Sequence, residues 1–157
     1  REARRVAKGE RVTDCPLYHC GARHLDRNGV ILPPSRTGAS CASDYGAAGV
    51  HRRDRVYLTT SLESARLFAL LAPPDGEGDV YEVAPIGALE RDPDYIGPPD
   101  EQSYTAPLAR IVRVVERRVR TMQGLTRDEV VELFTPDGDR PAASERLVSL
   151  AILGGAR

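Results

Sequence analysis

The stretch from Leu108 to about Val119 constrains the fold most strongly, because its apolar residues fall on both faces of an extended chain. Strands with this pattern are usually buried on both sides of a sheet. We therefore expect the first half of this stretch to form a central, buried strand. The residues that carry the pattern are Ile111, Val112, Val114 and Val115.

Shorter strands are predicted at Leu17–His19, Arg55–Thr60 and Val80–Val83, from β-forming residues bounded by Pro, Gly and Asp. Thr60 and Glu63 have the spacing of a helix capping box, and Pro73-Pro74 ends the helical pattern that follows them. The order of elements is strand, loop, strand, helix, strand, loop, strand, then helices. This order predicts a mixed α+β fold without a regular series of βαβ crossovers.

Two regions depart from this regular pattern. Residues 33–55 lack periodicity and are predicted to form a long loop, which makes them a candidate lid or substrate-facing segment. Thr126 and Glu129 again have capping-box spacing, and a helical hairpin is predicted over residues 126–153. We therefore divide the chain into a core at 1–120 and a C-terminal helical appendage at 121–157 that packs on the core.

Composition narrows the range of functions. A chain of 157 residues with 41% hydrophobic residues and a net charge of -1 is typical of one soluble domain without a dominant nucleic-acid or membrane surface. We expect the arginines Arg52, Arg53 and Arg55 to lie on a solvated face, as we do for those between 113 and 120. The longest apolar run is too short for a membrane span, no signal peptide is apparent, and the three cysteines suggest a reducing cytoplasm. We expect a monomer.

Three residues suited to catalysis are His19, Tyr57 and Asp92, and each has a simple structural explanation when taken alone. A histidine in a strand is more often a hydrogen-bonding structural residue than a catalytic one. A tyrosine in a strand usually packs, and an aspartate before proline usually belongs to a turn. Their order along the chain and their surroundings are more informative than the residues themselves.

Four blocks in sequence order resemble the rifampin (rifamycin) ADP-ribosyltransferase family, the Arr-type enzymes. Leu17-Tyr18-His19 is similar to the family's strand ending in its histidine, and residues 56–65 to its tyrosine-bearing strand and helix. Residues 80–94 resemble a strand, a Pro-x-Gly turn and an acidic Asp-Pro segment. The fourth block, Ser103-Tyr104 followed by Ile111-Val112, is similar to the family's Ser-Tyr loop and next strand.

The resemblance implies an ADP-ribosyltransferase-type fold, with two small, mostly antiparallel sheets forming an NAD cleft and helices on the flanks. It implies an NAD-dependent mono-ADP-ribosyltransferase in which Asp92 stabilises the positive charge developing on the ribose. Tyr57 would stack on nicotinamide, and His19 would bond a ribose hydroxyl. The implied NAD-binding residues are His19, Cys20, Gly21, Tyr57, Thr59, Ser61 and Tyr104.

The chain departs from the family pattern at two points. The family usually has glycine directly after the histidine, whereas this chain has Cys20 there and Gly21 one position later. The helix after the tyrosine strand carries a tryptophan in the family, and this chain has none. Glu90 and Asp94 flank Asp92 and are alternatives for the catalytic carboxylate.

Other interpretations stay open at this stage. Cys15, His19, Cys20 and His24, with Cys41, could form a zinc site, but the paired Cys-x2-Cys spacing is missing and no metal is expected. We favour a small-molecule acceptor such as a rifamycin-like antibiotic. The alternatives are a toxin-type transferase acting on protein or nucleic acid, an RNA 2'-phosphotransferase-like enzyme, and an inactive NAD-binding or interaction module.

Overall fold

The computed structural model describes residues 15–40, 50–72, 76–95 and 101–134. The described chain combines short strands with few helices, so the predicted α+β class is confirmed. The strands are β1 Leu17–Gly21, β2 Val30–Ile31, β3 Val56–Thr59, β4 Asp79–Ile86, β5 Glu90–Arg91, β6 Ser103–Ala106, β7 Leu108–Glu116, β8 Thr121–Met122 and β9 Leu125–Thr126. The helices are α1 Pro34–Thr37, α2 Leu62–Leu70 and α3 Arg127–Phe134, with a 3-10 turn at Leu25–Asn28.

Seven strands form one antiparallel sheet in the order β2-β7-β4-β1-β3-β6-β5, and β8 and β9 form a second, two-stranded sheet. β1 pairs with β4 along its whole length, but it pairs with β3 only where Tyr18 lies opposite Thr59. We call this place the sheet junction. The prediction had two small sheets, whereas the structure has one large sheet, whose two halves meet at the junction, and one small sheet.

Apolar side chains form a core on each face of the large sheet. The first core lies at the junction and contains Leu17, Val56, Leu58, Tyr81 and Tyr104. The second core lies under α2 and contains, among others, Leu67, Leu70, Val80, Val119 and Val130. Because each core is continuous across several strands, the register of those strands is fixed by burial of one face.

Helix α2 sits close to β1 and β4 because small residues line the contact. Ala65 and Ala69 are fully buried on the sheet side of the helix. A Cβ at Gly78 would lie 2.5 Å from the Gly21 carbonyl oxygen and 2.8 Å from that of Ala69, so only glycine fits between the helix and the sheet. The N-cap of α2 is Ser61, whose Oγ accepts the Ser64 N–H at 3.2 Å.

Two expectations about individual elements were wrong. Thr60 does not cap α2, because its backbone and hydroxyl bond Gln102 instead. β7 is not a central strand buried on both faces: its outer neighbour β2 covers only Ala109 and Arg110, and Val112 is 51% exposed. The apolar pattern of β7 was correct, but its position next to the sheet edge leaves part of it exposed.

The predicted long loop and tail are partly described. The loop region contains α1, and residues 41–49 lie outside the described residues. The tail begins with the β8–β9 hairpin and α3, where Thr126 donates to the Glu129 carboxylate as the capping-box spacing predicts. Met122 and Val130 belong to the second core, so this part of the tail packs on the sheet. The second helix of the predicted hairpin lies outside the described residues.

Candidate active site at the sheet junction

His19 bridges the two halves of the sheet. Its Nδ1 lies 2.9 Å from the backbone carbonyl oxygen of Tyr57 on β3. Because a carbonyl only accepts, Nδ1 carries the proton and Nε2 of the neutral ring is an acceptor. Burial lowers the pKa of His19 below its ordinary value, and the hydrogen bond to Tyr57 opposes this only in part. The ring is therefore neutral near pH 7, with Nε2 available to a ligand.

Gly21 keeps space open beside that nitrogen. A Cβ at this position would lie 3.3 Å from His19 Nε2 and 3.4 Å from Leu25 Cδ1. Gly21 is two residues beyond His19 on β1, so the two residues share one face of the strand. A ligand hydroxyl can approach Nε2 where any other residue would place a methyl group.

Tyr57 lies on β3, close enough to the acidic turn after β5 for the charges of that turn to act on it. Its hydroxyl oxygen accepts the Arg52 N–H at 2.7 Å, which fixes the ring. Burial raises the pKa of Tyr57, the hydrogen bond from Arg52 opposes this, and the charges of Asp92 and Asp94 raise it further. The ring is thus neutral and lies within electrostatic reach of both carboxylates.

Asp92 is the most firmly oriented acid of this turn. Its Oδ1 accepts the Asp94 N–H at 3.0 Å, and its Oδ2 accepts the Ser103 hydroxyl at 2.9 Å. The Asp92 N–H donates to the Ser103 carbonyl at 3.0 Å, which holds the turn to the start of β6. Both carboxylate oxygens are anchored, and each keeps a lone pair for a ligand.

The two alternative acids have other partners. Glu90 pairs with Arg52 at 3.2 Å and with the buried Arg55 at 3.3 Å. Asp94 accepts the Val50 N–H at 2.7 Å. The negative charge of Glu90 is therefore balanced by two guanidinium groups. Asp92 is held by neutral donors, so its charge is not balanced within the protein and can act on a substrate.

His19 is hydrogen-bonded to the backbone of Tyr57, and the charge of Asp92 acts on the Tyr57 ring. Within the described residues, no hydrogen bond joins the three side chains directly to one another. His19 is thus tied to the Tyr57 backbone at the junction, and the acidic turn lies within electrostatic reach of the Tyr57 ring. That one ligand contacts all three side chains stays a prediction.

The other predicted NAD-binding residues have structural contacts. The Cys20 side chain packs against the second core, where burial raises the pKa of its thiol to about 12. Thr59 Oγ1 accepts the Ser61 N–H at 3.0 Å, and Ser61 caps α2. Tyr104 is 6% exposed and lies in the first core. Their contribution to ligand binding stays a prediction, and for Cys20 it would have to come from backbone atoms.

The residues of the zinc alternative are not assembled. His19 and Cys20 are consecutive on β1 and point to opposite faces, Cys15 is exposed, and Cys41 lies outside the described residues. Among the described residues, His24, Asp26 and Asp79 form the one group with metal-ligand character. A guanidinium nitrogen of Arg117 lies within hydrogen-bonding distance of all three, so an internal cation already balances this group.

Arg55 shows that the predicted solvated arginine face was wrong in part. Its guanidinium is buried and donates to the Ala88 carbonyl at 2.8 Å and the Thr105 carbonyl at 3.0 Å. Arg55 thereby holds the β4–β5 connection to β6, next to the acidic turn. Neither this role of Arg55 nor the support that Ser103 gives to Asp92 is predicted from the sequence, because the partners of both residues are distant in the chain.

No helix in the described part of the chain is long and apolar enough to cross a membrane. A cavity of about 280 Å³ lies away from the junction. The side chains at the junction, rather than a deep cavity, therefore define the candidate site. The cavity is lined by Leu70, Glu77, Arg120, Thr126, Arg127 and Asp128.

The family model described as Arr-ms, rifampin ADP-ribosyl transferase, matches residues 18–116 of the chain. No curated protein matches the chain significantly. The matched residues run from β1 to the end of β7, so they include His19, Tyr57, Asp92 and both halves of the large sheet.

The protonation of His19 gives a first prediction. Because the pKa of His19 is lowered in the folded protein, the unfolded chain binds this proton more readily once the pH falls below about 6.5. The free energy of unfolding should therefore decrease as the pH falls from about 6.5 towards the pKa of the folded protein. Nitrogen NMR should show His19 as the Nδ1–H form at pH 7.

The control is His19→Gln, which retains an N–H for the Tyr57 carbonyl and does not titrate. Its free energy of unfolding, measured by urea denaturation, should vary less with pH over this interval. A wild-type His19 that titrates at or above the ordinary histidine pKa would contradict the assignment.

Proposed function

The chain belongs to the rifampin ADP-ribosyl transferase family, and we propose that it is an NAD-dependent mono-ADP-ribosyltransferase acting on a small molecule. NAD supplies the ADP-ribosyl group when its bond to nicotinamide breaks, and an acceptor hydroxyl takes that group with loss of its proton. The single observation that carries this proposal is the sheet junction, where His19 Nε2 is an open acceptor beside Gly21.

The residues at the junction fit such a substrate. A Cβ at Gly21 would intrude on the space beside His19 Nε2, and a neutral imidazole nitrogen is a suitable acceptor for a ribose hydroxyl. The Tyr57 ring, fixed by Arg52, offers an aromatic face on which nicotinamide can stack. These two residues would bind and orient the dinucleotide, which lowers the entropic part of the barrier.

Asp92 supplies the electrostatic part of the mechanism. The ribose gains positive charge as the nicotinamide bond breaks, and a preoriented carboxylate stabilises that charge without reorganising. Asp92 is preoriented by Ser103 and by the Asp94 N–H. Its donors are neutral, so its negative charge is not cancelled within the protein as that of Glu90 is.

Val50 supports an apolar acceptor. It is 65% exposed, and its N–H is bound to Asp94. Arg52, two residues later, is bound to the Tyr57 hydroxyl. Residues 50–52 therefore lie against both the acidic turn and the tyrosine, and Val50 offers apolar surface at the edge of the site. The rifamycin-like antibiotics suggested by the family combine apolar surface with hydroxyl groups, as this position requires.

Asp92→Asn tests the proposed mechanism. The variant keeps an oxygen for the Asp94 N–H but loses the charge, so ADP-ribosyl transfer should fall by roughly 10²–10³-fold. NAD binding, measured by calorimetry, should change little because His19 and Tyr57 are untouched. Glu90→Gln and Asp94→Asn are the matched controls and should retain most of the transfer rate. A larger loss in either control than in Asp92→Asn would move the catalytic carboxylate.

Val50→Ser tests the acceptor side. The change removes apolar surface but leaves the N–H that binds Asp94, so the KM for a rifamycin acceptor should rise several-fold, on the order of 10-fold for a lost aliphatic contact. The KM for NAD should stay the same. Val112→Ser, at an exposed valine of β7 in the other half of the sheet, should alter neither constant. Equal effects of the two substitutions would contradict a role for Val50 in acceptor binding.

A further inference from the structure

The first residue of β4, Asp79, is an acidic side chain with no solvent exposure. A carboxylate in such a place is unstable unless several donors surround it. Burial raises the pKa of Asp79, but its hydrogen bonds lower it more, so the net pKa is below the ordinary value and the group stays charged. The donors are His24 N–H at 3.0 Å, Arg118 N–H at 2.9 Å, Arg117 Nη1 at 2.9 Å and the Tyr81 hydroxyl at 3.1 Å.

Arg117 joins this buried carboxylate to a second one. It follows β7 directly, and its guanidinium nitrogens donate to Asp26 at 2.8 Å and 3.1 Å while one of them also donates to Asp79. Asp26 lies in the 3-10 turn that follows β1. The two-point contact to Asp26 gives the pair a defined geometry, which a single point charge would not.

The segment between β1 and Asp26 is tied to the same group of residues. The Tyr81 hydroxyl accepts the Leu25 N–H at 3.0 Å, and its single proton is shared between Asp79 and the Ala22 carbonyl, whose oxygen lies 2.9 Å away. His24 has a left-handed backbone with a φ of 67°, which is strained for a residue with a side chain, and its N–H is bound to Asp79. Residues 22–26 thus hold an unfavourable path because Asp79, Tyr81 and Arg117 fix it.

This segment forms one side of the candidate site. Leu25 Cδ1 and His19 Nε2 approach the same point above Gly21, at 3.4 Å and 3.3 Å from where a Cβ would lie. Tyr81 is also the cross-strand neighbour of His19 on β4. A displacement of residues 22–26 would therefore move Leu25 relative to the nitrogen that faces the ligand.

We infer that Arg117 is a positioning residue: by joining Asp26 to Asp79, it holds residues 22–26 as a wall of the NAD site beside His19. The inference rests on the proposed function for the identity of the ligand. If Arg117 is lost, the wall occupies its binding-competent position for a smaller fraction of the time. The apparent affinity for NAD falls in proportion to that fraction. The chemical step at Asp92, on the other half of the sheet, is unaffected.

Arg117→Gln is the main test, and Asp26→Asn is a second variant that leaves the pair of Arg117 with the buried Asp79 in place. Arg113→Gln is the matched control, because Arg113 lies on β7, four residues before Arg117, and pairs with Glu82, away from this segment. We expect the KM for NAD to rise about tenfold in Arg117→Gln, with kcat within about twofold. Asp26→Asn should change in the same direction, and Arg113→Gln should match the wild type.

Hydrogen exchange of the same proteins supplies a readout that is independent of turnover. Amides of residues 22–26 should exchange faster in Arg117→Gln, while those of β1 and β4 stay protected. An unchanged KM for NAD would overturn the inference, as would a loss of kcat and of thermal stability without a change in KM. Unchanged exchange in residues 22–26 would also overturn it.

The outcomes separate this inference from the proposed function. If the wild-type protein turns over NAD and Arg117→Gln has the same KM, the positioning role fails and the proposed function stands. If the wild-type protein releases no nicotinamide, the proposed function fails, and NAD titration by calorimetry then compares the same variants. A wild-type protein that binds no NAD overturns both.

Discussion

The hydrogen bond from His19 to the Tyr57 carbonyl is the interaction on which the candidate site depends. Beyond the Tyr18–Thr59 pair, β1 and β3 no longer share a backbone ladder, and a partly buried carbonyl without a donor is costly. The imidazole supplies that donor from a side chain. The same bond assigns the proton to Nδ1 and leaves Nε2 as an acceptor, so the hydrogen bond that spans the break in the sheet also sets the chemistry of the histidine.

Charged side chains hold the two halves of the sheet in shape around this break. On the β4 side, Asp79 and Arg117 fix the segment after β1. On the β6 side, buried Arg55 bonds the carbonyls of Ala88 and Thr105 and pairs with Glu90. Buried charges of this kind need complete sets of partners, which makes the local geometry well defined. The acidic turn with Asp92 and the wall with Leu25 are thereby presented from opposite sides of the junction.

Sequence reasoning identified the elements whose signals are local. The strand that contains Tyr57 and the helix after it follow from alternation and helical spacing, but the sequence favours Thr60 as the cap because neighbouring hydroxyl residues look equivalent. Only the contact of Thr60 with Gln102, far along the chain, leaves the cap to Ser61. The exposure of Val112 has a similar origin, since the length of β2 decides how much of β7 is covered.

The candidate site could be predicted only through its order along the chain. His19 and Tyr57 are 38 residues apart, and neither has a local feature that reveals the hydrogen bond between them. Arg55 looked like Arg52 and Arg53 because all three are charged residues in one short stretch, yet its partners are 33 and 50 residues away. The reaction type is predicted only from the four blocks that resemble the family, and the family model matches residues 18–116, which cover nearly the same region.

The most direct measurement is mass spectrometry of a rifamycin incubated with the purified protein and NAD. Free nicotinamide should appear together with an antibiotic whose mass has increased by one ADP-ribosyl group, and both products should form roughly 10²–10³-fold more slowly with Asp92→Asn. Release of nicotinamide with the added group found only on protein or nucleic acid would contradict the small-molecule acceptor. No release of nicotinamide with any acceptor would contradict the proposed activity as a whole.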